Sequence, residues 1–192
     1  RPVRVIHPPP ASHANYYPGA ETMALKLLVD PTSDRILGAQ AVGRDGVDKR
    51  IDVLATAATA GLTASQLADL ELAYAPQFGS AKDPVNMLGY VARNLRDAVT
   101  MSIQWHELET ELDRGALLLD VRTPAEHARG AIPGAVNLPL DVLREHTSEL
   151  LGRRVIVHCQ VGQRGHTAAA LLGQLGVDVV NLDGGYLTWE SG

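Results

Sequence analysis

The chain has 192 residues, with 17 Lys and Arg against 22 Asp and Glu and a formal net charge of −5. At 45% hydrophobic and 20% charged residues it has an ordinary globular composition, long enough for one large or two modest domains. The acidic balance argues against nucleic acid or an anionic membrane as the main partner, and a single cysteine, Cys159, excludes an internal disulfide framework and a multi-cysteine metal site.

The two halves differ in charge. Residues 1–95 carry nine basic and nine acidic side chains, whereas residues 102–192 carry seven and twelve, and every lysine lies in the first half. No apolar run approaches membrane-spanning length and nothing resembles a signal peptide, which points to a cytoplasmic protein. The start at Arg1 rather than methionine points to a piece of a longer protein.

Residues 1–15 contain a proline run, Pro8 to Pro10, and read as an extended lead-in. Segments 22–29 and 35–42 have strand composition and are joined by the turn sequence Asp30-Pro31-Thr32-Ser33-Asp34. Residues 46–60 predict a helix with Val47, Ile51, Leu54 and Ala58 on one face, ended by Gly61. Thr63 is the expected cap of a second short helix. Segment 72–87 has two prolines, the only phenylalanine and no clear period. It is too apolar for an idle loop, so it is expected to pack in an interface or line a site.

A helix is expected within residues 87–100, joining the halves. Ser102 is the expected cap of the next helix, with Trp105, Leu108 and Leu112 on one face and Gly115 closing it. Both tryptophans, Trp105 and Trp189, are expected in the core. Beyond them, 116–121, 135–138, 155–158 and 177–182 read as strands. Helices are expected from Thr123-Pro124 and over 140–151 and 165–175. Strands alternating with helices imply a parallel sheet covered on both faces.

The stretch 155–167, VIVHCQVGQRGHT, carries the chemistry. A buried strand runs into Cys159, a glycine-bearing loop follows, and a helix begins. Gly162 and Gly165 let backbone amides turn inward around the sulfur, and with the helix N-terminus they make a nest that favours thiolate over thiol. Arg164 adds a fixed charge for a thiolate, a persulfide or an oxyanion. A lone cysteine after an apolar strand is by itself most simply a small core residue; the glycines, the arginine and the helix start favour a nucleophile.

Four residues separate Cys159 from Arg164. One residue more makes the larger cradle that cysteine phosphatases use for phosphate, so this cup suits a terminal sulfur atom better than phosphate or arsenate. Asp120 and Arg122, at the end of a predicted strand, are read as supports that hold the loop, and Glu126 and Asp183 likewise. His158 is expected to be buried in the strand, and His166 sits where it could touch substrate.

Two resemblances follow from these motifs. HANYYPGA, GAQAVGRDGVDKRIDVLATA and ELAYAPQFGSAKDPVNM, within residues 3–95, resemble the dimerisation domain of pyridine nucleotide-disulfide oxidoreductases, most closely the coenzyme A-disulfide reductase branch. DVRTPAEHARGAIPGAVNLP, CQVGQRG and LDGGYLTW are similar to rhodanese signatures, with Ala131 standing where that family often has histidine.

The implied fold class is an α+β dimerisation domain over 1–95, a linker over 96–101 and an α/β rhodanese-like domain with a parallel central sheet over 102–192. The implied function is a sulfurtransferase module carrying sulfane sulfur as a persulfide on Cys159, with Arg164 beside it and Gln160, Val161, Gly162, Gln163 and Gly165 forming the loop. It would be attached to an FAD- and NAD(P)H-dependent coenzyme A-disulfide or persulfide reductase; the alternative is a non-catalytic dimerisation and binding module. Its partners would be a small-molecule sulfur donor, a thiol acceptor and a second copy of the chain.

No glycine-rich dinucleotide fingerprint follows a strand here, so FAD, NAD(P)H and coenzyme A are implied for a full-length protein and no cofactor or metal for this stretch. The resemblance also implies that Tyr74, and then Tyr16 or Tyr17, reach the partner's active site, and that Lys82, Lys49 or Arg50 meet coenzyme A phosphates. Equally, the tyrosines are residues that pack a dimer interface.

Overall fold

A computed structural model describes residues 2–192, which divide into two units, one ending at Asp97 and one spanning Ala98–Gly192. In the first unit, β1 (Arg4–Ile6), β2 (Ala24–Val29) and β3 (Ile36–Val42) form an antiparallel sheet in the order β1-β2-β3. The turn from β2 to β3 is held by Asp30, whose Oδ1 accepts from the Thr32 and Ser33 amides. Alternate β2 residues, Leu25, Leu27 and Val29, face a core shared with helices α1 (Val47–Thr59) and α2 (Pro84–Arg96).

Three expectations for this unit are corrected. Helix α1 packs Val47, Leu54 and Ala58 on the core as expected, but it buries Arg50 and Ala57 rather than Ile51, so Arg50 is not available to a phosphate: its guanidinium pairs with Asp83 at 2.8 Å and donates to the Ser12 and Gly46 carbonyls. The helix expected after Thr63 is a five-residue 3-10 turn, Ser65–Asp69, because the chain leaves Leu70 extended. Helix α2 starts inside the segment read as aperiodic. Asp83 caps it through the Val85 amide, Asn86 bonds back to the Asp83 amide, and Pro84 occupies the first turn, where its missing N–H costs nothing.

The second unit is a five-stranded, wholly parallel sheet in the order β4-β8-β7-β5-β6, made of β4 (Ser102–Ile103), β5 (Leu117–Asp120), β6 (Val136–Asn137), β7 (Arg154–His158) and β8 (Asp178–Leu182). Successive residues of β7 face opposite sides. Val155, Val157 and Cys159 pack with α6 (Gln163–Gln174) and Leu143, while Ile156 packs with Ile103, Leu118 and Leu182. Covered on both faces, the strand reads as a continuous apolar run. Helices α3 (Leu108–Asp113), α4 (Pro124–Arg129), α5 (Thr147–Leu150) and α7 (Gly185–Ser191) complete the unit.

Here too the structure departs from the sequence reading in places. Ser102 lies in edge strand β4 rather than capping a helix; Gln104 and Glu107 form the capping pair of a 3-10 turn, Trp105–Glu107, that leads into α3. Trp105 is 38% exposed and not a core residue, whereas Trp189 packs against the core. Most of the helix expected over 140–151 is a 3-10 helix, Leu140–His146, followed by the single turn of α5.

Candidate active site

Cys159 follows β7, the central strand, at the carboxyl edge of the sheet where parallel folds concentrate function. The residue has no exposed surface, and its Sγ accepts the Gly162 amide at 3.2 Å. Gly162 takes a left-handed φ of 93°, and that conformation turns its N–H back toward the sulfur. Helix α6 starts immediately after, two residues earlier than expected, so Gln163, exposed, opens its first turn. Twelve residues of helix aim a partial positive charge at the loop. Gln160 and Val161 are half-buried on the other side of the turn.

Gly165 is buried against Asn181 of β8, and a Cβ there would collide with Asn181 Oδ1. Asn181 therefore underlies the loop between Gly162 and Gly165, with Oδ1 buried and without a hydrogen-bond partner among the described residues. The sequence reading missed this residue. The available signal was a single amide inside the apolar strand VVNL.

The closing motif LDGGYLTW acts on the same loop. At the start of α7 the Tyr186 amide donates to the Cys159 carbonyl at 2.8 Å, and the Leu187 amide donates to the Gln160 carbonyl at 3.1 Å. Gly185, at φ 63°, allows this approach: a Cβ would stand 2.5 Å from the Cys159 oxygen and 2.9 Å from the Val161 and Gly162 nitrogens.

Asp120 and Arg122 brace the loop from beside it. Arg122 Nε and Nη2 grip the Asp120 carboxylate at 2.7–3.0 Å, Nη1 donates to Gln160 Oε1 at 2.8 Å, and Nη2 also reaches the Gly130 carbonyl. The Tyr186 ring lies under the guanidinium, 4.4 Å from its centre. Burial alone pushes the Asp120 carboxyl up, but hydrogen bonds from Arg122 and His127 outweigh it and hold the group below the usual carboxylate range. Their contacts are with the loop rather than with the sulfur.

Arg164 does not stand free over the cup. Its two terminal nitrogens hold both oxygens of Glu126 at 2.8 and 2.6 Å. Thr123 in turn fixes Glu126 through its amide and hydroxyl in the capping box that starts α4. The Arg164 hydrogen bond holds the Glu126 carboxyl well below its ordinary range; Glu126 first, and Cys159 more weakly, raise the guanidinium. His158 is fully buried, and desolvation lowers its pKa. Desolvation also lowers that of His166, whose Nδ1 lies 2.9 Å from Thr100 Oγ1. Asp183 joins Gln104 and the edge strand β4.

The first unit brings together some of its sequence candidates. The Tyr16 and Tyr74 hydroxyls are 2.7 Å apart and both side chains are exposed. Tyr17 sets its ring edge-on to His13, and Lys82 lies 5.0 Å over the Tyr90 ring. Phe78, in the same irregular segment as Tyr74, is 69% exposed.

Residues 3–84 match the pyridine nucleotide-disulphide oxidoreductase dimerisation domain, and residues 104–192 match the rhodanese-like domain. The chain joins these two domains. The first is 49% identical over 82 residues to the coenzyme A disulfide reductase of Staphylococcus aureus (strain bovine RF122 / ET3-1), which covers 43% of this chain and 19% of that protein.

Two solved structures extend over both domains. Reduced Bacillus anthracis CoADR-RHD superposes with a TM-score of 0.97 at 46% identity, covering 99% of this chain and 34% of that one. A NAD-dependent persulfide reductase from A. fulgidus gives 0.87 at 39% identity, covering 98% and 34%. The chain thus spans about a fifth of its curated relatives and a third of these solved chains.

The FAD and NAD(P)H that the dimerisation family implies do not fit the residues described. The sheet of the dimerisation domain is antiparallel, and the strand–glycine loop–helix turn onto α6 is closed around Cys159 Sγ.

Proposed function

We propose that the rhodanese-like domain transfers sulfane sulfur through a persulfide on Cys159, within a protein that reduces coenzyme A disulfide or a persulfide with FAD and NAD(P)H. The observation that carries the reading is the bond from the Gly162 amide to Cys159 Sγ at the head of a twelve-residue helix. Such a donor can meet a charge on the sulfur and, one sulfur atom further out, the terminal charge of a persulfide. The thiolate attacks the sulfane sulfur of the donor; the donor's sulfur bond breaks and the leaving group departs with the electron pair. An acceptor thiol then removes the sulfur.

The resemblance to coenzyme A disulfide reductases and to a persulfide reductase supports assigning the second activity to the whole protein. We assign to Tyr74, Tyr16 and Tyr17 a contact with the partner subunit's site in a homodimer, and to Lys82 a coenzyme A phosphate. Intact mass after exposure to thiosulfate or coenzyme A persulfide tests the sulfur step. One added sulfur, removed by cyanide and missing in Cys159→Ser, is the expected result. The full burial of Cys159 favours a second reading, a non-catalytic binding module. Absence of any adduct in folded protein with either donor would establish that reading instead.

A further inference from the structure

We propose that Glu126 selects the sulfur donor by charge, favouring donors whose leaving end carries little negative charge over dianionic thiosulfate. The inference rests on the Cys159 sulfur-transfer reading and specifies its substrate class.

Four charged side chains surround the loop, and they cancel in pairs. Arg122 is committed to Asp120, and Arg164 to Glu126 with both terminal nitrogens. Neither carboxylate is adventitious. Asp120 takes four hydrogen bonds from Arg122 and one from His127, and Glu126 takes the Thr123 amide and hydroxyl besides Arg164. With Arg164 held by Glu126 and acting on Cys159 only weakly, the positive potential left for a substrate comes mainly from the loop amides and the α6 N-terminus, equivalent to roughly half an elementary charge. That suits the single charge of a persulfide on Cys159. A second anionic group must either compete with Glu126 for Arg164 or face the carboxylate itself.

Thiosulfate and methanethiosulfonate separate these effects. They deliver the same outer sulfur, but a methyl group replaces one anionic oxygen in the second. In both, the Cys159 thiolate forms the new sulfur–sulfur bond as the donor's breaks. Sulfite leaves from thiosulfate and methanesulfinate from methanethiosulfonate, each with the electron pair, and the persulfide keeps the negative charge. No oxidant or proton is consumed.

Glu126→Gln removes the charge and keeps the capping box, in which Gln serves as well as Glu. Because the electrostatic gain scales with donor charge, kcat/KM should rise about threefold for methanethiosulfonate and about tenfold for thiosulfate. For 2-hydroxyethyl persulfide in its uncharged form it should stay level. Glu126→Asp should retain the wild-type ratio between donors. Equal changes for all donors, or none, would reduce Glu126 to a structural support and overturn the inference.

Arg164→Met is a second arm that does not depend on how Glu126→Gln folds. It leaves the carboxylate unpaired, so thiosulfate should lose more than methanethiosulfonate; an equal loss would likewise overturn the inference. Intact mass keeps the two levels apart. Sulfur on Cys159 with an unmoved donor ratio removes the selectivity claim alone, whereas no sulfur from any donor removes the transfer reading and this one with it.

Discussion

Arg122 ties Gln160, the residue after the nucleophile, to the end of the neighbouring strand: its Nη1 donates to Gln160 Oε1 at 2.8 Å while Nε and Nη2 hold Asp120. The arginine is 2% exposed and the aspartate fully buried. Breaking such a pair from one side leaves a buried charge without a partner, which costs about 3–5 kcal/mol. Arg122→Met should therefore destabilise the rhodanese-like domain by that order and release Gln160, slowing sulfur loading of Cys159. Both tryptophans lie in this domain. A urea titration followed by tryptophan fluorescence thus reports its unfolding without interference from the first domain.

Gly185 tests the clamp formed by the closing motif. Its φ of 63° disfavours any side chain by roughly 1 kcal/mol, and an alanine Cβ would press on the Cys159 oxygen and two loop nitrogens, none of which is a flexible atom. Gly185→Ala is expected to lower the urea midpoint. It should slow persulfide formation by more than the loss of stability explains, because α7 can no longer sit on the Cys159 and Gln160 carbonyls. A variant that loads sulfur at the wild-type rate would show that the clamp is dispensable.

Acid should weaken this domain well before its carboxylates titrate. Burial lowers the pKa of His158, against a smaller opposing effect of Asp120, and burial lowers that of His166 as well. The unfolded chain then binds protons that the folded chain refuses. The corresponding stability is fully present above the unfolded pKa, about 6.5, and is lost as pH falls from there toward the folded values. Asp120 acts in a lower window: its depressed pKa gives stability present above about 3.9 and lost as pH falls through the folded value. Between pH 7 and 5.5 the fluorescence-detected stability should fall by up to about 1.4 kcal/mol per pH unit for each histidine. His158→Leu should flatten that slope and cost little at pH 7, since among the described residues His158 Nε2 is buried without a hydrogen-bond partner and Nδ1 makes only a long contact, 3.4 Å, with the Cys159 carbonyl. An unchanged slope would assign the effect to His166.

What the sequence made legible is local. The run into Cys159, the glycines after it and the alternating strands and helices specify the parallel sheet and its nucleophile loop, because each depends on neighbours within a few residues. The Arg164–Glu126 pair spans 38 residues and the Arg122–Gln160 bond another 38, so a pattern that identifies each partner does not say which one it meets. Arg164 accordingly reads as a free charge in the sequence and is a compensated one in the fold. Asn181 was hidden for the same reason.

The helix expected over 140–151 is 3-10 for Leu140–His146, a distinction the sequence does not carry because three- and four-residue spacings of apolar side chains overlap. The start of α2 is different. Asp83, Pro84 and Asn86 carry a full N-terminal signal, overlooked because it adjoins an irregular apolar segment.

Gly89, in the dimerisation domain, sets two effects of opposite sign against each other. It lies in α2, where replacing glycine with alanine ordinarily gains about 1 kcal/mol of helix propensity. Here an added Cβ would collide with the Ala68 amide and stand 2.7–2.8 Å from the Leu67 carbonyl carbon and Ala68 Cα. Backbone atoms cannot swing aside as a side chain does. Asn86 also pins this turn to the helix through the Leu67 and Leu70 carbonyls, so the two elements cannot simply separate. Overpacking of this kind costs about 1–3 kcal/mol and outweighs the propensity gain. Gly89→Ala should lower the calorimetric transition of the dimerisation domain while leaving the tryptophan-detected transition of the rhodanese-like domain unmoved. A net rise in stability would mean that the turn at Leu67 and Ala68 yields more readily than its hydrogen bonds imply.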